Sequence, residues 1–118
     1  MLKIKRVYEE ASAADGTRFL VERLWPRGMK KEELNMKAWL KDVAPSPSLR
    51  KWYGHEPVKW EEFQVRYRDE LEANPGGWSS LLKAAERGNV TLLYSARDTE
   101  RNSALVLKSF LEEKMGKG

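Results

Sequence analysis

Val90-Thr91-Leu92-Leu93-Tyr94-Ser95 follows a Gly88-Asn89 turn and runs into the polar stretch Ala96–Arg101. Six residues dominated by β-branched, aliphatic and aromatic side chains, bounded by turn signals, read as a buried strand. Asn102 or Ser103 then starts a helix through Ala104, Leu107, Phe110 and Leu111 to about Lys114. Those apolar positions recur at helical spacing, and both starting residues are good N-caps. A buried strand that passes through a charged loop into a helix is the repeating unit of an α/β sheet. The tail Gly116-Lys117-Gly118 is expected to fray.

Working towards the N-terminus, Trp78–Arg87 reads as a helix, with Ser79 or Ser80 as cap and Gly88 as its stop. Asn74-Pro75-Gly76-Gly77 separates it from a strong helix over Lys59–Glu72, where Trp60, Phe63, Tyr67 and Leu71 share one face. Ser48–Tyr53 is a short helix before Gly54-His55-Glu56-Pro57, and Pro45 and Pro47 interrupt the chain before it. The period over Lys30–Val43 predicts another helix, with Leu34, Met36, Trp39, Leu40 and Val43 on its inner stripe. Two strands come early. Leu2–Tyr8 places Leu2, Ile4 and Tyr8 on one face, and Arg18–Leu24 contains the continuous apolar run Phe19-Leu20-Val21. Such a run suggests cover on both faces. The prediction is one α/β domain over residues 1–118: a small, partly parallel sheet of short strands packed with helices.

Composition bounds the function. A chain of 118 residues supports one modest core, and 41% hydrophobic with 34% charged residues is a globular mixture. The absence of cysteine removes disulfides, thiolate nucleophiles and cysteine metal sites, and a single histidine, His55, makes a metal centre unexpected. No cofactor is implied, because P-loop, dinucleotide-turn, nucleophile-elbow and zinc-helix motifs are all missing. No apolar run is long enough for a membrane span, and none near the N-terminus resembles a signal peptide, so a cytoplasmic protein is expected. The oligomeric state is not specified. Residues 1–58 carry 12 Lys and Arg against 8 Asp and Glu, whereas residues 59–118 carry 10 of each. The basic surplus suggests an anionic ligand, with ordinary solubilising charge as the alternative.

Three segments carry candidate chemistry. In Arg23-Leu24-Trp25-Pro26-Arg27-Gly28, a strand continuing through Arg23 would send Arg23, Trp25 and Arg27 to one side. The two guanidinium groups suit carboxylate or phosphate, Trp25 can wall a pocket, and Gly28 allows close approach of backbone. The alternative is a surface turn with Trp25 in the core. In Tyr94–Asn102, Arg97, Asp98 and Asn102 sit between a strand end and a helix start, where free N–H groups favour an anion. Asp98 can act as a general base or pair with Arg97, and Asn102 can be a cap alone. In Trp52-Tyr53-Gly54-His55, Trp52 is a loop aromatic beside basic residues, and His55 has the right intrinsic pKa to move protons. Ser46 reads as a helix cap sooner than as a nucleophile.

In order, Arg23–Gly28, Trp39-Leu40-Lys41-Asp42-Val43-Ala44-Pro45-Ser46, Leu49-Arg50-Lys51-Trp52-Tyr53-Gly54-His55, Trp60–Tyr67 and Val90–Asp98 with Asn102 resemble the YeaO-like family, which belongs to the proteins called domain of unknown function 488. The resemblance covers nearly the whole chain in motif order, and departs only at Tyr53, where phenylalanine is also common. It implies a compact α/β fold and no particular activity. Three functions follow from the residues. The first is binding of a small phosphate- or carboxylate-bearing molecule by Arg23, Arg27 and Arg97, with Trp25, Gly28, Asn102 and Trp52 around it. The second is a metal-independent hydrolase or transferase using Asp98 or His55 on an anionic substrate. The third is nucleic-acid binding through the basic half.

Overall fold

The computed structural model describes residues 1–116, so part of the tail expected to fray, Lys117 and Gly118, lies outside the described residues. Four strands, β1 (Leu2–Arg6), β2 (Thr17–Leu20), β3 (Ala38–Trp39) and β4 (Val90–Tyr94), form one sheet in the order β1-β4-β2-β3. All three neighbouring pairs are parallel. Among the described residues four α-helices complete the fold: α1 (Pro47–Tyr53), α2 (Trp60–Glu72), α3 (Pro75–Arg87) and α4 (Ser103–Lys114). The chain is thus the small α/β fold read from its sequence, with the sheet parallel throughout.

The register explains which residues are buried where. Ile4, Leu92 and Phe19 align across β1, β4 and β2. With Leu2, Val21, Val90 and Tyr94 they join the main core, which α1 to α4 supply with Leu49, Phe63, Tyr67, Trp78, Leu81, Leu107 and Phe110. The side chains one residue out of phase point to the opposite face. There Val7, Leu20, Leu34 and Leu93 form a second, smaller cluster under Trp25, Met29, Met36 and Trp39. The Phe19-Leu20-Val21 run is therefore covered on both faces, as a parallel sheet requires. Helices cover one side, and irregular chain covers the other.

That division overturns the helix predicted over Lys30–Val43. The segment holds only two short 3-10 turns, Lys31–Glu33 and Lys41–Val43, around the edge strand β3. Its apolar residues serve opposite faces of the sheet: Leu34, Met36 and Trp39 join the smaller cluster, while Ala38, Leu40 and Val43 join the main core. A helix offers one stripe and cannot reach both sides. Extended backbone can, and Lys37 and Leu40 donate their N–H groups to the carbonyls of Arg18 and Leu20, at 2.6 and 2.8 Å.

Other boundaries moved for local reasons. β2 ends at Leu20, four residues short of the predicted end; Val21 still donates its N–H to the Leu93 carbonyl, but β4 stops at Tyr94 and offers residues 22–24 no ladder to extend. α3 starts at Pro75, so the predicted caps Ser79 and Ser80 lie inside it and Asn74 takes the cap position. Proline is tolerated at the first helical position, where its missing N–H has no acceptor anyway. The tight approach of the chain at Gly16 has a different basis. Its φ is +65°, and an added Cβ would lie 2.2 Å from the Asn89 carbonyl oxygen, so only glycine fits.

Candidate functional site

A cavity of about 580 Å³ opens beyond the carboxyl ends of β2 and β4. This is the usual place for a ligand on a parallel sheet. Glu22 and Arg23, just after β2, form one wall. The loop Ser95–Asn102, between β4 and α4, forms another, and Ala44, Pro45, Arg50, Tyr53 and His55 close the α1 side. Phe63 of α2 contributes at the apolar end, where its ring stacks on Tyr53 at 4.5 Å.

Each wall is held by specific bonds. The Arg23 guanidinium donates to the carbonyls of Ala44 and Pro45, at 2.9 and 3.2 Å, tying the segment after β2 to the entry of α1. Ser46 caps α1, accepting from the Leu49 N–H at 3.2 Å while its hydroxyl donates to Glu70 at 2.6 Å. Its oxygen is thus occupied as a cap. The Ser95–Asn102 loop is braced from outside by Arg6, which donates to the carbonyls of Ser95 and Ala96. Inside the loop, Asp98 Oδ1 accepts the N–H groups of Glu100 and Arg101, both at 2.9 Å, and Oδ2 lies 3.4 Å from the Arg101 guanidinium. Asn102 is buried, donates to the Asp98 carbonyl and caps α4 by accepting from Leu105 N–H.

Electrostatics follow from this bonding. The Glu100 N–H first, then the Arg101 N–H and guanidinium, hold the Asp98 carboxyl below the usual carboxylate range against a smaller opposing effect of burial. Such a carboxylate is a poor proton acceptor. Burial pushes the Tyr53 hydroxyl up, and the nearby Asp98 charge adds to it. Among the described residues, Arg101 is the one cavity arginine with a carboxylate in ion-pair range. Arg50 and Arg97 are exposed and carry no such partner. No cluster of three or more His, Asp or Glu able to hold a metal occurs among the described residues, nor any helix long and apolar enough to cross a membrane.

A family model described as the inactive DUF488-N3 subclade matches residues 1–117. The chain belongs to the YeaO-like DUF488 family. The uncharacterized protein YeaO of Escherichia coli (strain K12) is 43% identical over 110 residues, covering 93% of this chain and 96% of that protein. The uncharacterized protein Rv3073c of Mycobacterium tuberculosis (strain H37Rv) is 40% identical over 110 residues, covering 93% and 92%. No solved structure matches the chain.

In this DUF488 chain, five of the nine residues singled out from sequence line the cavity: Arg23, His55, Arg97, Asp98 and Asn102. Trp25, Arg27, Gly28 and Trp52 do not. Because β2 stops at Leu20, residues 23, 25 and 27 do not alternate on a strand. Trp25 turns into the smaller cluster, packs edge-on against Trp39 at 5.3 Å and donates its indole N–H to the Met29 carbonyl. Arg27 is exposed, and its carbonyl accepts from the Tyr8 hydroxyl. Gly28 adopts φ +77° with open space around it, a turn requirement. Trp52 lies on α1 with Arg66 and Lys59 over its ring, at 4.4 and 5.2 Å. His55 is exposed at φ +58°, directly after the left-handed Gly54 that ends α1.

Three charged residues of the cavity escaped the sequence reading: Glu22, Arg50 and Arg101. Arg101 lies within the Tyr94–Asn102 segment and Arg50 two residues before Trp52–His55, so a rule admitting every arginine near His55 and Asp98 would have found them. Glu22 had no signal beyond its place next to Arg23.

Proposed function

We propose that this DUF488 chain binds a small phosphate- or carboxylate-bearing molecule in the cavity beyond β2 and β4. One observation carries the reading: the lining holds Arg23, Arg50, Arg97 and Arg101 against two carboxylates, Glu22 and Asp98. Arg50 and Arg97 are without a carboxylate partner among the described residues, so an anion would not have to displace one. The size falls within the range of small-molecule pockets, about 300–1,000 Å³. The amino end of α4 adds to the attraction, since Ser103 lines the cavity at the first turn of a 12-residue helix. Arg23 acts as a brace, its donors being given to Ala44 and Pro45, whereas Arg97 and Arg50 are the anion-holding groups.

A hydrolase or transferase would use Asp98 or His55, and both line the same cavity. Asp98 is already occupied by two backbone N–H groups and held low, which disfavours it as a base. The description of the matched subclade as inactive weighs on the side of binding. Single-strand nucleic-acid binding needs free aromatic faces. Trp25 is packed in a core cluster and Trp52 lies under two cations, which leaves that reading weaker support.

The test is a thermal-shift and NMR titration with inorganic phosphate, phosphorylated metabolites and nucleotides. Selective binding by one or more, with resonance changes at Arg97, Ser103 and Arg50, is expected. Arg97→Ala should weaken it about 10-fold or more, the scale of one charge-assisted hydrogen bond. Affinity equal to that of the wild type in both Arg97→Ala and Arg50→Ala would overturn the assignment. Affinity that survives in both but falls steeply with salt and rises with oligonucleotide length would favour nucleic acid instead.

A further inference from the structure

Glu22 is an acid placed in an arginine-lined cavity, and among the described residues it has no arginine partner. Its Oε1 accepts both the backbone N–H and the hydroxyl of Ser95, at 2.9 and 2.5 Å. Its own carbonyl accepts the Trp39 indole N–H at 2.6 Å. The residue is thus fixed at both ends, between β2 and the loop that follows β4. Arg23, next in sequence, turns away to Ala44 and Pro45. Oε2 has no hydrogen bond among the described residues, and no buried side-chain oxygen or nitrogen among them lacks a partner. Oε2 is therefore reached by solvent, and Glu22 lines the cavity.

A fixed carboxylate oxygen works against a cavity that simply gathers negative charge. It repels a second anionic group, and it accepts a hydrogen bond from any neutral donor brought beside it. An ammonium group would also satisfy it but would be opposed by the four arginines of the lining. A hydroxyl meets neither objection. Resting on the anion-binding reading above, we propose that Glu22 is a specificity-determining residue that selects a hydroxyl-bearing anion, the phosphate monoester of a polyol, over a bare anion or one that carries a second anionic group. The phosphate faces Arg97 and Arg50, and a hydroxyl donates to Glu22 Oε2. Ser95 is a positioning residue, because its N–H and hydroxyl set the direction of the carboxylate.

The probes are glycerol 3-phosphate and n-propyl phosphate, which share a chain length and differ by two hydroxyls. NMR titration of the intact chain should find glycerol 3-phosphate about 10-fold tighter or more, the value of a hydrogen bond to a charged acceptor. In Glu22→Ala the two probes should bind alike. In Glu22→Gln, which keeps an oxygen for Ser95, the preference should shrink, and n-propyl phosphate should bind more tightly than to wild type because a facing negative charge is gone. A preference that persists in both variants, or equal binding of the two probes to wild type, overturns the role of Glu22 while leaving anion binding intact. Failure of both probes and of inorganic phosphate to bind wild type overturns the anion-binding reading as well. A general unfolding effect would weaken both probes together, so the ratio distinguishes selection from structure.

Discussion

On the amino-terminal side of β2, one wholly buried carboxylate, Asp15, meets Lys3, Lys5 and Arg18. At the other end of the same strand, four arginines line an open cavity, and only Arg101 has a carboxylate within reach among the described residues. Both places are rich in basic residues. At Asp15 the charges are consumed by one another: the carboxylate also accepts the Ser12 N–H, and the Asp15 carbonyl accepts the Thr91 hydroxyl. Lys3, Thr91 and Arg18 align across β1, β4 and β2, so register alone assembles this cluster beneath Asp15. At the cavity, backbone carbonyls take the donors of Arg23 and nothing among the described residues takes those of Arg50 and Arg97. The lesson is that basic content by itself does not distinguish a structural cluster from a binding surface. Pairing does.

The strongest way to break the contrast is to remove Asp15. Asp15→Ala leaves Arg18, 6% exposed, without its partner. Loss of one partner from a buried pair costs about 3–5 kcal/mol, measured by urea denaturation. A loss below about 1 kcal/mol would show that the cluster is not structural. Next in size, Gly16→Ala should cost about 1–3 kcal/mol or more, since the new methyl meets the Asn89 carbonyl at a left-handed φ.

The same cluster sets an acid dependence. Burial raises the Asp15 carboxyl, but Lys5, the Ser12 N–H, Lys3 and Arg18 outweigh it and hold the group well below the usual carboxylate range. A depressed folded value means that the contribution is present above the unfolded value near about 4 and is lost as pH falls below it. Denaturation midpoints should therefore drop as pH is lowered from about 5 to 2, and Asp15→Asn should flatten that slope. A slope unchanged in Asp15→Asn would assign acid sensitivity elsewhere.

The cavity should answer in the opposite sense. Arg97→Ala is expected to alter stability by less than about 0.5 kcal/mol, as for an exposed side chain without partners, while it lowers anion affinity. Arg27→Ala, the smallest case, should change neither, because Arg27 lies outside the cavity. A fall in anion affinity with Arg27→Ala would move the site to the turn after β2.

Much of this was legible in the chain. The strand, charged loop and helix over residues 90–114 appeared where their pattern placed them, and Ser46 and Asn102 are caps, as their positions before helical runs suggested. These features rest on local physics: a short apolar run bounded by turns, and a side-chain oxygen that satisfies free N–H groups. Two of the features that turned out differently depend on distant partners. Periodicity over Lys30–Val43 shows that apolar residues recur, but which face of a sheet receives each is decided only when β3 pairs with β2. The direction of Arg23, Trp25 and Arg27 likewise depends on where β4 ends. By itself the sequence determined an α/β domain of the YeaO-like type with arginines near two strand ends. Tertiary structure decided that Arg23 is taken up by the Ala44 and Pro45 carbonyls, 21 and 22 positions along the chain, and that Glu22 meets Ser95, 73 positions away. Local spacing carries no information about a contact made across the sheet.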